Sequence, residues 1–391
     1  MPWKITNTME LRKEFITLAN QPGANKRELM RRFNISPPTG YKWLSRHKAE
    51  GLSGLNDKSR RPHKKPNNLT DNKIVTEILE LKKQYPYWGA RKIGNLLRDK
   101  SLKPATSTVH GILSRHDLVE HRNGGVNTAK TRFNREEPND LWQMDFKGHF
   151  GMKGGKRCHP LTICDDHSRY NILLKACEDE KGSTVKLHLQ RCFERYGLPR
   201  QILCDNGSPW GCGYGNMTSF GIWLIQIGVD VIHGRPRHPQ TQGKEERFHR
   251  TLNHELLSRT TLWESIEHCQ REFDIMRDRY NNIRPHESIE DNQPAKVYRA
   301  SNRPFPEKIT PPVEYYLSND ILKKVKSKGE ITLKNKSFYI GRAFVGKWIA
   351  LRITGTGIWE VFFTWKSLGF IDLSKANKAK NNYEPLLTND Y

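Results

Sequence analysis

No stretch of the 391 residues approaches the roughly 20 consecutive apolar positions of a membrane-spanning helix, and the mean hydropathy is −0.79. The first residues do not resemble a signal peptide, so a cytoplasmic, nucleoid-associated protein is expected. Cysteine is sparse: seven residues, none before Cys158, an odd number with no C-x-x-C pair. That pattern excludes a disulfide framework and argues against a zinc finger, leaving reduced thiols. Negative charge is also short, with 42 Asp and Glu against 66 Lys and Arg, a formal charge of +24. An excess of this size predicts a polyanionic partner whose counterions are released on binding, and double-stranded DNA fits better than a membrane that no segment spans.

What is present reads as a soluble chain of two to four domains, 35% apolar and 28% charged. The first 137 residues hold 28 Lys and Arg against 13 Asp and Glu, so much of the positive excess comes first. Helical periodicity runs through Leu11, Phe15 and Leu18, then Leu29, Met30 and Phe33, then Tyr41, Trp43 and Leu44. It predicts a helix-turn-helix over residues 1–56 with Pro37 to Lys48 as recognition helix. Ser36 would cap that helix, and Thr39, Lys42 and Arg46 would face a major groove. A second unit of the same kind is expected over 69–120, from Ile74, Ile78 and Leu81, then Ala90, Ile93 and Leu97, then Val109, Ile112 and Leu113. Two supporting three-helix bundles are the plainer alternative. The basic linker between them, residues 57–68, carries Arg60, Arg61, Lys64 and Lys65, and is either a solvated spacer or an arm along a minor groove. Residues 121–138 form a second basic linker.

From Leu141 the pattern changes to short strands and helices. Asp145 ends an apolar run; Cys158 to Cys164 and Tyr170 to Cys177 read as strands joined by a turn at Asp165-Asp166-His167-Ser168-Arg169. Thr184 to Tyr196 is helical, Gln201 to Cys204 is a strand ending at Asp205, Ile222 to Ile227 is a helix, and Val229 to Ile232 is a strand. This order gives a mixed sheet flanked by helices, with Asp145 and Asp205 at strand ends where α/β sheets gather their sites. Glu246 follows on a helix through Phe248, Leu252 and Leu256, with His249 and Arg250 three and four positions on, sharing its face. Each acid alone has a bland explanation: Asp205-Asn206-Gly207 is turn chemistry, and a Glu in a first turn complements the helix dipole. Asp165 and Asp166 read as turn residues. Three carboxylates in one cleft suit a hard divalent cation and phosphodiester chemistry.

At these residues the chain resembles the retroviral-integrase superfamily, and within it the insertion-sequence 481 group of bacterial transposases. The motifs are Pro138-Asn139-Asp140-Leu141-Trp142-Gln143-Met144-Asp145-Phe146, Asp165-Asp166-His167-Ser168-Arg169-Tyr170, Asp205-Asn206-Gly207-Ser208-Pro209-Trp210, and His238-Pro239-Gln240-Thr241-Gln242-Gly243 through Glu246-Arg247-Phe248-His249-Arg250. The similarity extends from about Pro2 to Leu373. It implies an RNase H-like core over 139–300 with its following helices, and an Asp, Asp, Glu triad of Asp145, Asp205 and Glu246. It also implies two Mg²⁺ ions, with Mn²⁺ as substitute, Asp145 bridging them while Asp205 and Glu246 each hold one. The motif places the acid directly before Arg-Phe-His-Arg, which selects Glu246 over Glu245, and one residue of slip turns a helical side chain by about 100°. Arg250, with Lys244 and His249 as weaker candidates, would contact a DNA phosphate. The glycine-rich stretch from Trp210 to Met217 departs from the family and has no assigned role.

Residues 311–373 alternate as five short strands, around Ile331, Phe338, Trp348 to Ile353, Trp359 to Phe363, and Gly369 to Leu373. The resemblance implies a small SH3-like β-barrel there, contacting DNA or a neighbouring subunit, with capping of the core as the plainer reading. Residues 374–391 are a polar tail. The implied activity is cleavage at the terminal inverted repeats of a mobile element, then joining of the freed 3′ hydroxyl to target DNA, by a homodimer or larger assembly. No His-x-His pair occurs among 15 histidines, which disfavours single-strand transposition chemistry, and nothing marks a covalent Ser or Tyr nucleophile. A DNA-binding regulator with a non-catalytic core, and a plain nuclease, are the rivals.

Overall fold

The computed structural model describes residues 7–58, 70–119, 134–210, 217–233 and 243–373. Contacts divide the chain into two compact units, Met1–Asp71 and Asn72–Tyr391. The first unit contains α1 (Thr8–Ala19), α2 (Lys26–Arg32) and α3 (Pro37–Glu50), with α2, its turn and α3 forming a helix-turn-helix. Asn7 and Asn25 cap the first two helices through their side chains, and Pro37 opens the third. Ser36 stands at the cap position of α3, but its hydroxyl meets Thr39 Oγ1 at 2.9 Å instead of a backbone N–H. The buried face of α1 is Phe15, Ile16 and Ala19, one position round from the expected Leu11 and Leu18; Leu11 is exposed. Tyr41, expected inside, also faces out, because α3 turns Trp43 and Gly40 toward Met30. A Cβ on Gly40 would lie 2.5 Å from the Met30 side chain, so a larger residue there would require Met30 to shift.

The second unit opens with α4 (Asn72–Gln84), α5 (Ala90–Asp99) and α6 (Thr106–Arg115). Their core of Ile78, Leu81, Ile93, Leu97, Val109, Ile112 and Leu113 is the apolar set that the periodicity marks, completed by Tyr85 and Trp88. Next come β1 (Leu141–Phe146), β2 (Phe150–Gly151), β3 (Arg157–Asp165), β4 (Asn171–Cys177), α7 (Gly182–Tyr196), β5 (Gln201–Cys204), α8 (Ser219–Gln226) and β6 (Asp230–His233). Then follow α9 (Gly243–Leu252) and α10 (Ile266–Asp278). β1 pairs antiparallel with β3, and β3 with β4, whereas β1, β5 and β6 run parallel, which gives the expected mixed sheet. The two-residue β2, pairing with the start of β3, is too short to leave a periodic signal.

Period two along each strand sorts the side chains between two cores. Trp142, Met144, Leu161, Ile163, Ile202 and Cys204 pack toward α7 and α8, while Cys158, Cys164, Leu174 and Ala176 pack toward α9 and α10. Gln143, Asp145, Leu203 and Asp205 therefore alternate onto the α9 side.

Among the described residues the C-terminal strands number six: β7 (Ile321–Lys324), β8 (Glu330–Leu333), β9 (Lys336–Tyr339), β10 (Trp348–Gly355), β11 (Ile358–Phe363) and β12 (Lys366–Asp372). Ile-Leu-Lys-Lys in β7 does not alternate, which is why its sequence hides it. Hydrogen bonds make an antiparallel sheet in the order β12-β11-β10-β7 and a separate β8-β9 ladder, so the described residues do not close a barrel. Both ladders nevertheless bury one core, shared with Ile222 and Ile225 of α8. Because α8 is apolar all round, one face fills the core between the sheet and α7 and the other joins the β unit to it. Trp365 Nε1 donates to the Ile225 carbonyl at 2.9 Å and Lys366 pairs with Asp230, so this unit caps the sheet domain. Among the described residues no helix is long and apolar enough to cross a membrane.

Candidate active site

β1 and β5 lie side by side and parallel, with Leu141 opposite Gln201 and Gln143 opposite Leu203. Continuing that register two residues sets Asp145 level with Asp205 at the carboxyl ends of adjacent strands. Both face α9. Asp205 takes part in its own turn, accepting from Gly207 N at 3.0 Å, while its carbonyl meets His233 Nδ1 at 2.9 Å. The turn chemistry of Asp205-Asn206-Gly207 thus coexists with a carboxylate held at the cleft. Asp145 is pushed up to about 7, first by burial and then by the negative charge of Asp205.

The third acid divides the two neighbours on α9. Phe248, His249 and Leu252 are the buried face, and Glu245, three and seven positions before Phe248 and Leu252, falls on it. Glu245 is only 1% exposed and is raised to about 8, chiefly by burial. Its Oε2 lies 2.9 Å from Thr162 Oγ1, which also lies 3.0 Å from the Asp145 carbonyl and 2.7 Å from His249 Nε2. Thr162 has one hydrogen to give, so a protonated Glu245 and a neutral imidazole satisfy this cluster best. Glu246, one residue on, is exposed in the first turn and makes no ion pair with a described residue.

Among the described residues no three His, Cys, Asp or Glu side chains converge closely enough to hold a metal ion. The structure brings Asp145 and Asp205 together and leaves Glu246 exposed on the first turn of α9. The donor chemistry nonetheless fits a hard divalent cation: oxygen ligands only, at two strand ends, with mutual repulsion that a cation would relieve. Glu245, neutral and engaged with Thr162, does not suit that task.

Two of the expected phosphate contacts have partners inside the protein. Lys244 is 19% exposed and pairs with the fully buried Asp166, also donating to Asn134 Oδ1 at 3.3 Å. Burial lowers it to about 8. His249 does not share the face of Glu246; it is buried, 3.9 Å from Asp145, and burial lowers it to about 4, so it carries no charge for a phosphate at neutral pH. Arg250 is exposed beside Glu246. Replacing Arg250 by Gln is expected to weaken DNA binding and reduce the slope of log K against log salt by about one, whereas Lys244→Met leaves that slope unchanged. An equal fall in both slopes, measured by salt titration of DNA binding, would return Lys244 to the DNA.

The Asp165-Asp166 turn is a staple. Asp165 accepts from Asn139 N, Ser168 N and Ser168 Oγ at 2.7, 2.8 and 2.6 Å, and Asp166 accepts from Arg135 N and Gln143 Nε2 at 2.9 and 2.7 Å. In the first unit Lys42 is exposed, while Arg46 and Thr39 are half-buried; Lys42 and Arg46 lie 4.7 and 5.2 Å from the Trp43 ring centre. Arg60, Arg61, Lys64 and Lys65 lie outside the described residues, as do 211–216 of the glycine-rich stretch and the motif before Gly243.

Comparison with known proteins places these features. The family model described as Integrase core domain matches residues 135–239, and a second of that description matches 227–294. IS481 family transposase, C-terminal domain, matches 320–379; Helix-turn-helix domain matches 11–63, and Homeodomain-like domain matches 39–113. The insertion element IS476 uncharacterized 39.2 kDa protein of Xanthomonas euvesicatoria is 27% identical over 286 residues, 72% of this chain and 78% of that protein. The Gag-Pro-Pol polyprotein of Squirrel monkey retrovirus is 33% identical over 132 residues, 33% of this chain but 7% of the polyprotein. Among solved structures, a chain of the simian T-cell lymphotropic virus intasome is 15% identical, with a TM-score of 0.37, covering 74% of this chain and 97% of its own. The HTLV-2 integrase catalytic core, solved in complex with magnesium, is 15% identical with a TM-score of 0.32, covering 42% of this chain and 99% of its own.

Proposed function

We propose that this chain, whose residues 320–379 match the IS481 family transposase C-terminal domain and whose residues 135–239 match the integrase core, is a DDE transposase of the polynucleotidyl transferase type with helix-turn-helix DNA-binding units, which cuts the terminal inverted repeats of its element and joins each freed 3′ hydroxyl to target DNA. The observation that carries this reading is the pairing of Asp145 and Asp205 at adjacent strand ends, where the charge of one raises the other. In the first reaction a water oxygen attacks the phosphorus and the 3′ oxygen leaves with a proton. In the second, that 3′ oxygen attacks a target phosphodiester, forming one P–O bond as another breaks. Asp145, Asp205 and Glu246 are the catalytic residues of this reading. They would hold Mg²⁺, or Mn²⁺ in its place, which supplies activation of the nucleophile and stabilisation of the leaving oxygen. Glu246 is the acid left able to join the pair because Thr162 holds Glu245. Arg250 contacts a backbone phosphate.

In the same reading residues 1–56 and 69–120 hold the element ends, and Thr39, Lys42 and Arg46 face the groove. Residues 139–300 are the catalytic core. Residues 311–373 form an SH3-like unit, a reading supported by the single core that both ladders share. Two ends must meet, so a homodimer or larger assembly acts, on DNA in the cytoplasm. Incubation with labelled repeat ends and a target plasmid tests the proposal: metal-dependent nicks and joined products are expected. Shifted but uncut DNA would favour a regulator, and cutting without joining a nuclease.

The pH dependence follows from Asp145. Its raised value means that it is protonated below about 7 and ionised above, and a cation binds the ionised form. The metal concentration giving half-maximal cutting is therefore expected to rise about tenfold per unit as pH falls well below 7, and to level off above it. A flat metal requirement between pH 5.5 and 8 would contradict this.

A further inference from the structure

The helix that carries Glu246 does not stop at the cleft. α9 runs directly into a π-helical turn at Asn253–Leu257, and α10 runs into a second at Arg279–Ile283. Such turns insert an extra residue and re-aim the side chains that follow, and they are frequent at functional positions. Here both aim at the three-helix unit of α4 to α6. Glu255, from the first turn, is 7% exposed and accepts from Trp88 Nε1 at 3.2 Å; Arg284, just after the second, pairs with the same carboxylate. Trp88 is itself 1% exposed, in the turn between α4 and α5. Ile283 packs against the core of the three-helix unit.

Polar contacts surround this seat. Tyr87 meets His254 edge to face, with ring centres 5.3 Å apart, and Arg259 lies over the Tyr87 ring. Arg91 pairs with Glu287 at 2.8 Å and with Asp291 at 3.1 Å, and Gln293 donates to Asp99 at 3.1 Å. The contacts engage the α4–α5 turn and both ends of α5. They leave Thr106, Ser107, His110, Ser114 and Arg115 of α6 exposed.

We propose that this seat is a positioning device that sets where the DNA is cut: Trp88, Glu255 and Arg284 fix the helix-turn-helix unit that reads an element end to the helix that carries Glu246. The proposal rests on the transposase reading above. Glu255 stands nine residues after Glu246, about 13 Å along a helical path, so the duplex gripped by α6 and the reacting phosphodiester are referred to one rigid element. The number of base pairs between the sequence read and the bond cut is then set by the seat, without any contact to bases near the bond. Buried charge at such a joint favours one geometry over neighbouring ones, because each alternative leaves Glu255 or Arg284 without its partner.

The test maps cut positions at nucleotide resolution on a labelled element end, using the full chain. Trp88→Phe removes the N–H donor while keeping an aromatic ring, and Arg91→Glu, at an exposed rim position, places like charges against Glu287 and Asp291 without touching the core. Both variants are expected to bind the end within about threefold of wild type, yet to spread cutting from one phosphodiester over several neighbours. If Trp88→Phe unfolds, Arg91→Glu alone decides. Cutting by the folded variants at the single wild-type position would overturn the proposal while leaving the transposase reading intact. Absence of any metal-dependent cutting by the wild type would overturn both.

Discussion

Asp205→Asn is expected to abolish strand cutting and strand transfer, by at least about 10²–10³-fold, while leaving binding to the element ends nearly unchanged. The amide keeps the size of the side chain and the hydrogen bond to Gly207 N, so the turn at the end of β5 survives. What it removes is the charge. Two consequences follow from the pairing with Asp145: the cation loses a ligand, and Asp145 loses the repulsion that helps to raise it. The variant therefore separates binding from chemistry, because the helix-turn-helix units lie elsewhere in the chain. The measurement is cleavage of a labelled end in Mg²⁺ beside a gel-shift titration of the same DNA. Cutting at wild-type rate would remove Asp205 from the catalytic set. Glu246→Gln should behave alike, and Glu245→Gln should cut nearly normally, since the structure makes Glu245 a neutral member of a buried cluster.

Asp166→Ala is expected to lower stability by about 3–5 kcal/mol, the range for removing one partner of a buried ion pair. The carboxylate is fully buried and is met by Lys244, Arg135 N and Gln143 Nε2 together. Its loss leaves an ammonium with little access to water and two donors without acceptors. Urea denaturation of the variant should show a lower midpoint at unchanged slope. Exchanging both charges in Asp166→Leu with Lys244→Met should recover part of the loss, because no lone buried charge remains. If Asp166→Ala is within about 1 kcal/mol of wild type, the pair is not what secures the start of α9.

These two outcomes separate residues that the sequence treats alike. Asp165, Asp166, Asp205, Glu245 and Glu246 are all acids inside motifs, and local pattern cannot say which are buried. The apolar face of α9 does hint at the answer: Glu245 keeps step with Phe248 and Leu252, whereas Glu246 keeps step with Arg250. Thr162 carries no such hint, since a threonine in a strand is ordinary; it matters only because β3 sets it opposite Asp145. The helix-turn-helix face on α1 was legible only to within one position, as Leu11 and Ile16 are equally apolar and packing chooses between them.

The sequence by itself determined the kind of molecule: a basic chain without membrane span or disulfide framework, two helical units from 3.6-residue periodicity, a mixed sheet from period two, and acids at strand ends. Those are local properties, set by charge, side-chain spacing and turn chemistry. Only the tertiary structure decided that Asp145 and Asp205 share one level on one face, that Lys244 and His249 face inward, and that Glu255 joins the second helical unit to the catalytic helix. Each depends on partners far apart in sequence, 83 positions in the case of Thr162 and Glu245 and 167 for Trp88 and Glu255. No local pattern encodes such pairs, because burial and charge pairing act between whatever surfaces the fold brings into contact.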